Sequence, residues 1–179
     1  MRSALSAVVV SGWPGAGKST IADAVAAATG ATVVSFDWIM SGLRQFPDLW
    51  QCVESPMERQ REVGWALMSR VAEQQLRRGA SVVFDLVARD PVVDQWSELA
   101  AQNGAGLFVI ECVCEDEDTH RGRIENRQRG IPGWYELTWE QAQRSRENYS
   151  ALRFEPKLVL SAENPVSVNV ERALEYLRA

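Results

Sequence analysis

At 179 residues, with 46% hydrophobic and 24% charged side chains, the chain has the make-up of one soluble globular domain, long enough to bury a sizeable core. No apolar stretch approaches the roughly 20 residues of a membrane span, and Met1-Arg2-Ser3-Ala4 passes into the first strand too soon for a signal peptide, so a cytoplasmic location is expected. The formal net charge of −5 sets the molecule as a whole against polyanions and disfavours long nucleic acid as a partner.

Residues 8–11 read as the first strand, and the run of valines in it, without polar alternation, is the pattern of a strand covered on both faces. Gly12-Trp13-Pro14-Gly15-Ala16-Gly17-Lys18-Ser19 follows, a complete G-x-x-x-x-G-K-[ST] run, and an Ala-rich helix over residues 20–29 comes after it, with Gly30 as its stop. Glycines let the backbone N–H groups of such a loop converge on phosphate oxygens, Lys18 adds a charge, and Ser19 offers a hydroxyl to Mg2+. A nucleoside triphosphate site built from Gly12, Gly15, Ala16, Gly17, Lys18, Ser19 and Thr20 is therefore expected.

Residues 31–36 read as the second strand, 37–44 as a short helical piece and 46–55 as irregular. Ser55-Pro56-Met57-Glu58 has the form of a capping box with Pro at the first helical position, opening a helix to Gly79 whose apolar positions Val63, Leu67 and Val71 keep to one face. Residues 81–85 make a third strand, Asp90-Pro91 opens a helix, and 107–113 make a fourth strand. A helix from 115 to about 127 starts acidic and is broken at 131–134. Thr138-Trp139-Glu140-Gln141 caps the next helix, to about 149, and strand 157–160 and helix 166–177 close the chain. Strands alternating with helices in this way give a three-layer α/β fold around a parallel sheet. Three cysteines cannot all pair, and Cys112 and Cys114 share the fourth strand; buried thiols in a reduced protein are expected, ahead of a metal site with His120.

The carboxyl ends of neighbouring parallel strands line one crevice, which brings the phosphate loop, Asp37 and Asp85 together. Val82-Val83-Phe84-Asp85 is an apolar run closed by an acid, the form in which a carboxylate holds Mg2+, whereas Asp37 falls on the acceptor side, where it can take a proton from an attacking hydroxyl. A helix N-cap is the plainer role for either acid. Arg44, two turns past Asp37, and Arg89, four residues past Asp85, are candidate acceptor contacts, with an ordinary surface position as the alternative. Arg121, Arg123, Arg127 and Arg129 cluster within nine residues. Arg123 and Arg127, four apart on the predicted helix, share a face and can neutralise a transferred phosphoryl group from a lid over about residues 121–140, hinged at Gly130 and Gly133. A solvated face paired with Glu115, Glu117 and Glu125 is the alternative. Trp38, Trp50, Trp65, Trp134 and Trp139 fall in segments expected around the acceptor cleft, and Trp13 is expected to point away from the phosphates.

The phosphate loop, Ser35-Phe36-Asp37, Val83-Phe84-Asp85, the Arg-rich helix and the closing strand with its Pro-containing turn together resemble the small P-loop kinases. These include gluconate, shikimate and adenylate kinases, zeta toxins and chloramphenicol phosphotransferase. The resemblance spans nearly the whole chain; the first motif is specific to P-loop proteins, and the others identify the kinase branch in combination. It implies one P-loop kinase-like domain over residues 1–179, a five-stranded parallel sheet of order 2-3-1-4-5, ATP with Mg2+ as donor, and transfer of the γ-phosphate to a hydroxyl of a small molecule. It further implies Lys18 and Ser19 at phosphate and Mg2+, Asp37 at the acceptor hydroxyl, Arg123 or Arg127 in the lid, and residues 161–165, with Asn164 and Pro165, at the adenine. Phe36 and Trp38 flank Asp37 where sugar-acid kinases tend to be polar, and no second arginine-rich patch for an anionic acceptor is evident, which counts against gluconate or shikimate. Two other readings stay open. One is a nucleotide-dependent switch that hydrolyses slowly, although an Asn-Lys-x-Asp guanine motif is lacking. The other is a zeta-toxin-like or polynucleotide 5′-end kinase, whose polynucleotide form the acidic balance disfavours.

Overall fold

The computed structural model describes residues 5–178. Five parallel strands, β1 (Ser6–Ser11), β2 (Thr32–Ser35), β3 (Val82–Asp85), β4 (Gly106–Val113) and β5 (Leu158–Ser161), make one sheet in the order β2-β3-β1-β4-β5. Strand β1 is paired along both edges, with β3 and with β4, and covered on both faces. That explains its unbroken run of valines: Val9 packs with Phe84, Met68 and Trp96 on one face, while Val8 and Val10 pack with Val25, Ile110 and Leu160 on the other. Helices α1 (Lys18–Thr29) and α8 (Val166–Tyr176) cover this second face, and α4 (Met57–Arg77) and α5 (Asp90–Gln102) cover the first. Helices α2 (Phe36–Leu43) and α3 (Pro47–Gln51) lie between β2 and α4, and α6 (Glu117–Glu125) and α7 (Trp139–Glu147) lie between β4 and β5. Among the described residues no helix is long and apolar enough to cross a membrane.

The register sets the site. Asp85 at the end of β3 lies between Val10 of β1 and Ser35 of β2, and Ser11 of β1 lies beside Glu111 of β4. Every chain segment leaving these strand ends starts from the same edge of the sheet.

Four sequence expectations are corrected. Residues 47–51, expected to be irregular, form α3 around Pro47 at its first turn. Helix α4 begins at Met57 with Pro56 as N-cap and no side-chain capping bond, so Ser55 does not close a capping box. The buried face of α4 is Gln60, Gly64, Met68, Ala72 and Leu76, while Leu67 and Val71 are exposed. Close approach decides this: the ring of Phe36 lies where a Cβ on Gly64 would stand, 2.2 Å from Cε2, and only a glycine face admits α2 that near. Helix α6 stops at Glu125 with Asn126 as C-cap, so Arg127 lies beyond the helix that was expected to carry it. Thr138 does form the expected capping box, accepting the Gln141 backbone N–H at 3.4 Å while Gln141 Oε1 accepts the Thr138 N–H at 3.0 Å.

All three cysteines are unpaired, Cys112 and Cys114 being buried, and Cys114 lies just past the end of β4. Loss of hydration pushes the Cys112 thiol up to about 12.

Candidate active site

Between β1 and α1 the chain turns through Gly12, where φ is +141° and an added Cβ would stand 2.0 Å from the Cys112 carbonyl oxygen of β4. No other residue fits there. Gly17 caps α1 without a side-chain bond, which leaves the first-turn N–H groups of α1 directed at whatever occupies the loop. Lys18 Nζ donates to the Trp13 carbonyl at 3.1 Å, and loss of hydration holds its pKa below the ordinary lysine value against the pull of Asp85 and Asp37. Trp13 is buried in the core, edge-on to Tyr149 at 5.4 Å.

One supporting residue was missed. His120 of α6 is fully buried beneath the loop, where its Nε2 donates to the Pro14 carbonyl at 2.7 Å and its Nδ1 has no partner. Burial lowers its pKa, so the neutral ring with the proton on Nε2 fits the site. In the sequence His120 stood out only as a metal candidate, and among the described residues no group of three or more His, Cys, Asp or Glu is placed to hold a metal.

The two acids differ in setting. Asp85 is 8% exposed, and its Oδ2 accepts from Ser19 Oγ at 2.8 Å and Ser35 Oγ at 3.3 Å. Burial raises its pKa and the nearby Lys18 opposes the rise. Asp37, in the first turn of α2, is ion-paired with Arg129, which also bonds Glu136 at 3.1 Å and the Tyr135 carbonyl at 2.6 Å. Neither acid is a helix N-cap, since Ser35 holds that place for α2 and Arg89 for α5. The hydroxyl of Ser19 and carboxylate of Asp85 are hard oxygen donors side by side, a set that suits Mg2+, which takes one or two protein oxygens and completes its shell with water and phosphate.

In front of these groups lies a cavity of about 550 Å³, lined by Lys18, Ser19, Asp37, Asp85, Arg127 and Arg129 together with residues of α4, α7 and the β3–α5 loop. Arg127 is partly buried with its Nε and Nη2 lacking hydrogen-bond partners, and its nearest carboxylate, on Glu136, is 3.5 Å away. Such a guanidinium is prepared for an anion. Arg123 does not share its face, because α6 has ended between them. Arg123 instead donates to the Ala162 carbonyl at 2.9 Å and lines a separate shallow pocket with Gly17, Thr20 and Asn164, beside Pro165 at the N-cap of α8.

Arg89 lines the cavity, but Arg44 does not: its guanidinium packs 5.2 Å from the Trp50 and Tyr135 ring centroids. Of the five tryptophans expected around the cleft, Trp65 and Trp134 line it. Trp38 is solvent-exposed, Trp50 packs edge-on to Trp134, and Trp139 packs on His120. The expectation of no second arginine-rich patch is overturned, since Arg61 of α4, Arg89 and Arg144 of α7 all face this cavity. They lie in three separate segments and have no common signature in the sequence.

A family model described as an AAA domain, AAA_33, matches residues 8–152. No curated protein matches the chain. Among solved structures, a sugar kinase from Janibacter sp. HTCC2649 is 20% identical, over 97% of this chain and 95% of that one, with a TM-score of 0.72. A gluconokinase from Sinorhizobium meliloti 1021 is 21% identical, over 99% and 94%, with a TM-score of 0.71. The Mycobacterium tuberculosis APS kinase in complex with AMPPNP and APS is 17% identical, over 98% and 99%, with a TM-score of 0.62. At these identities the likeness is one of fold.

Proposed function

The chain belongs to the AAA domain family AAA_33, and from that premise we propose that it is an ATP-dependent phosphotransferase that moves the γ-phosphate to a hydroxyl of a small acceptor. The observation that carries this reading is the shared cavity. Lys18, Ser19, Asp85 and Arg127 of the phosphate end and Asp37 of the acceptor side line the same space, whose volume of about 550 Å³ is in the range of small-molecule sites.

In this reading Lys18 and Arg127 neutralise the charge that spreads over the transferred group. Ser19 and Asp85 would hold Mg2+, which supplies charge neutralisation at the phosphates. Asp37 orients the acceptor hydroxyl and takes its proton as the oxygen bonds to the γ-phosphorus and ADP departs. The segment after α6, which carries Arg127 and Arg129, acts as the lid. Arg129 must release Asp37, or share it, when acceptor enters.

The test is ADP formation measured across a panel of hydroxylated metabolites, nucleosides and antibiotics, with Lys18→Ala as control. An acceptor that raises ADP formation, and loss of most of that turnover in Lys18→Ala together with weakened triphosphate binding, is expected. Turnover unchanged by Lys18→Ala would remove the site assignment. Steady ATP hydrolysis that no acceptor stimulates would favour a switch, because a lidded kinase excludes water from the phosphoryl group.

A further inference from the structure

Arginines in a folded protein commonly pair with acids or lay their stems on apolar surface. Arg89 and Arg144 are arranged otherwise, and Arg61, whose carboxylate partner Glu58 is largely exposed, joins them. They come from α4, the N-cap of α5 and α7, and all three line the cavity. Arg89 Nη2 donates to the Asn148 carbonyl at 3.5 Å, one turn past Arg144, and partial burial, with the Arg89 charge adding to it, lowers the pKa of Arg61. Among the described residues neither Arg89 nor Arg144 has a carboxylate at ion-pair distance, and Arg61 reaches only the largely exposed Glu58, at 3.3 Å. Three guanidiniums that share one exposed carboxylate keep a net positive charge among them and repel one another, and a bound anion removes that repulsion. Beside them the wall is apolar, with Phe36, Leu86 and Trp65, the last one helical turn from Arg61.

We propose that the acceptor carries an anionic group attached to an apolar or aromatic body, and that Arg61, Arg89 and Arg144 hold that anion while Phe36 and Trp65 take the body. The proposal rests on the phosphotransferase reading for the word acceptor, but the anion site itself can be measured without turnover.

The probes are sulfate, phenyl sulfate and benzyl alcohol, titrated calorimetrically onto the full chain with the phosphate loop already filled by Mg2+ and AMPPNP. Saturable sulfate binding is expected, with phenyl sulfate tighter and benzyl alcohol much weaker. Charge-assisted hydrogen bonds of this kind correspond to a loss of roughly 10-fold or more in sulfate affinity in R61Q/R89Q, with AMPPNP affinity kept at about 0.15 M salt, where the long-range field is screened. R144Q, altered at an exposed side chain that α7 does not need for folding, should show a smaller loss of the same sign. Absence of saturable sulfate binding, or equal binding in wild type and R61Q/R89Q, overturns the anion site. Phenyl sulfate no tighter than sulfate overturns the apolar body. If sulfate binds as stated and no ADP forms with any acceptor, it is the phosphotransferase reading that fails and the anion site that stands.

Discussion

At the scale of single residues, Asp37 and Asp85 are both carboxylates at strand ends, yet their surroundings assign them opposite work. Asp85 is buried, bonded to two serine hydroxyls and within the field of Lys18, which suits a cation ligand. Asp37 is more exposed and held by Arg129, a partner that has Glu136 to return to. Asp37→Asn keeps the size and removes the basicity, so AMPPNP affinity should stay near wild type while phosphoryl transfer falls by roughly 10² or more. Asp85→Asn should first raise the Mg2+ concentration needed for half-maximal rate. Transfer at the wild-type rate in Asp37→Asn, once an acceptor is in hand, would leave that residue as nothing more than the partner of Arg129.

At the scale of elements, the contact between α2 and α4 fixes where Asp37 points, and Gly64 is its narrowest place. Alanine there would improve helix propensity by about 1 kcal/mol, but its Cβ would stand 2.2 Å from the Phe36 ring, and overpacking of this kind costs about 1–3 kcal/mol. Gly64→Ala is expected to lower the midpoint of urea unfolding and, by displacing Phe36 next to Asp37, to raise the acceptor KM more than the ATP KM. A midpoint at or above wild type would show that α4 can move away without loss. The same helix shows where sequence reading fails. Contiguous signals were legible: the loop between β1 and α1, the capping box at Thr138, and the strand order that the resemblance implied. For α4, a stripe of Val63, Leu67 and Val71 suggested one face, and the protein buries the face of Gly64, Met68 and Ala72, because small side chains permit approach and large ones only offer surface. Nor could spacing show that Arg127 and Arg123 part company at the end of α6, or that His120 reaches Pro14. Those facts depend on chain direction after a helix stops, which no periodicity encodes.

At the scale of the whole molecule, charge is distributed against its own total. The chain carries −5, yet six basic side chains, Lys18, Arg61, Arg89, Arg127, Arg129 and Arg144, line the cavity against three acidic ones, Asp37, Glu58 and Asp85. A concave site with low-dielectric walls focuses the field of its own lining, so the local sign should govern the approach of a triphosphate. The two possibilities predict opposite salt effects. The Debye length shrinks from about 30 Å at 0.01 M salt to about 8 Å at 0.15 M, which removes any long-range force, attractive or repulsive. If the cavity governs, the association rate constant of a fluorescent AMPPNP analogue, followed by stopped flow at fixed Mg2+, falls several-fold across that range. If the net charge governs, the rate constant rises, because screening relieves repulsion between two anions. R61Q/R89Q should flatten the dependence without changing the high-salt rate, since these two arginines act on the incoming phosphates only through the field and the loop backbone makes the contact. A rise with salt in the wild-type protein would mean that the acids of the outer surface outweigh the cavity, and that nucleotide arrives against a net repulsion.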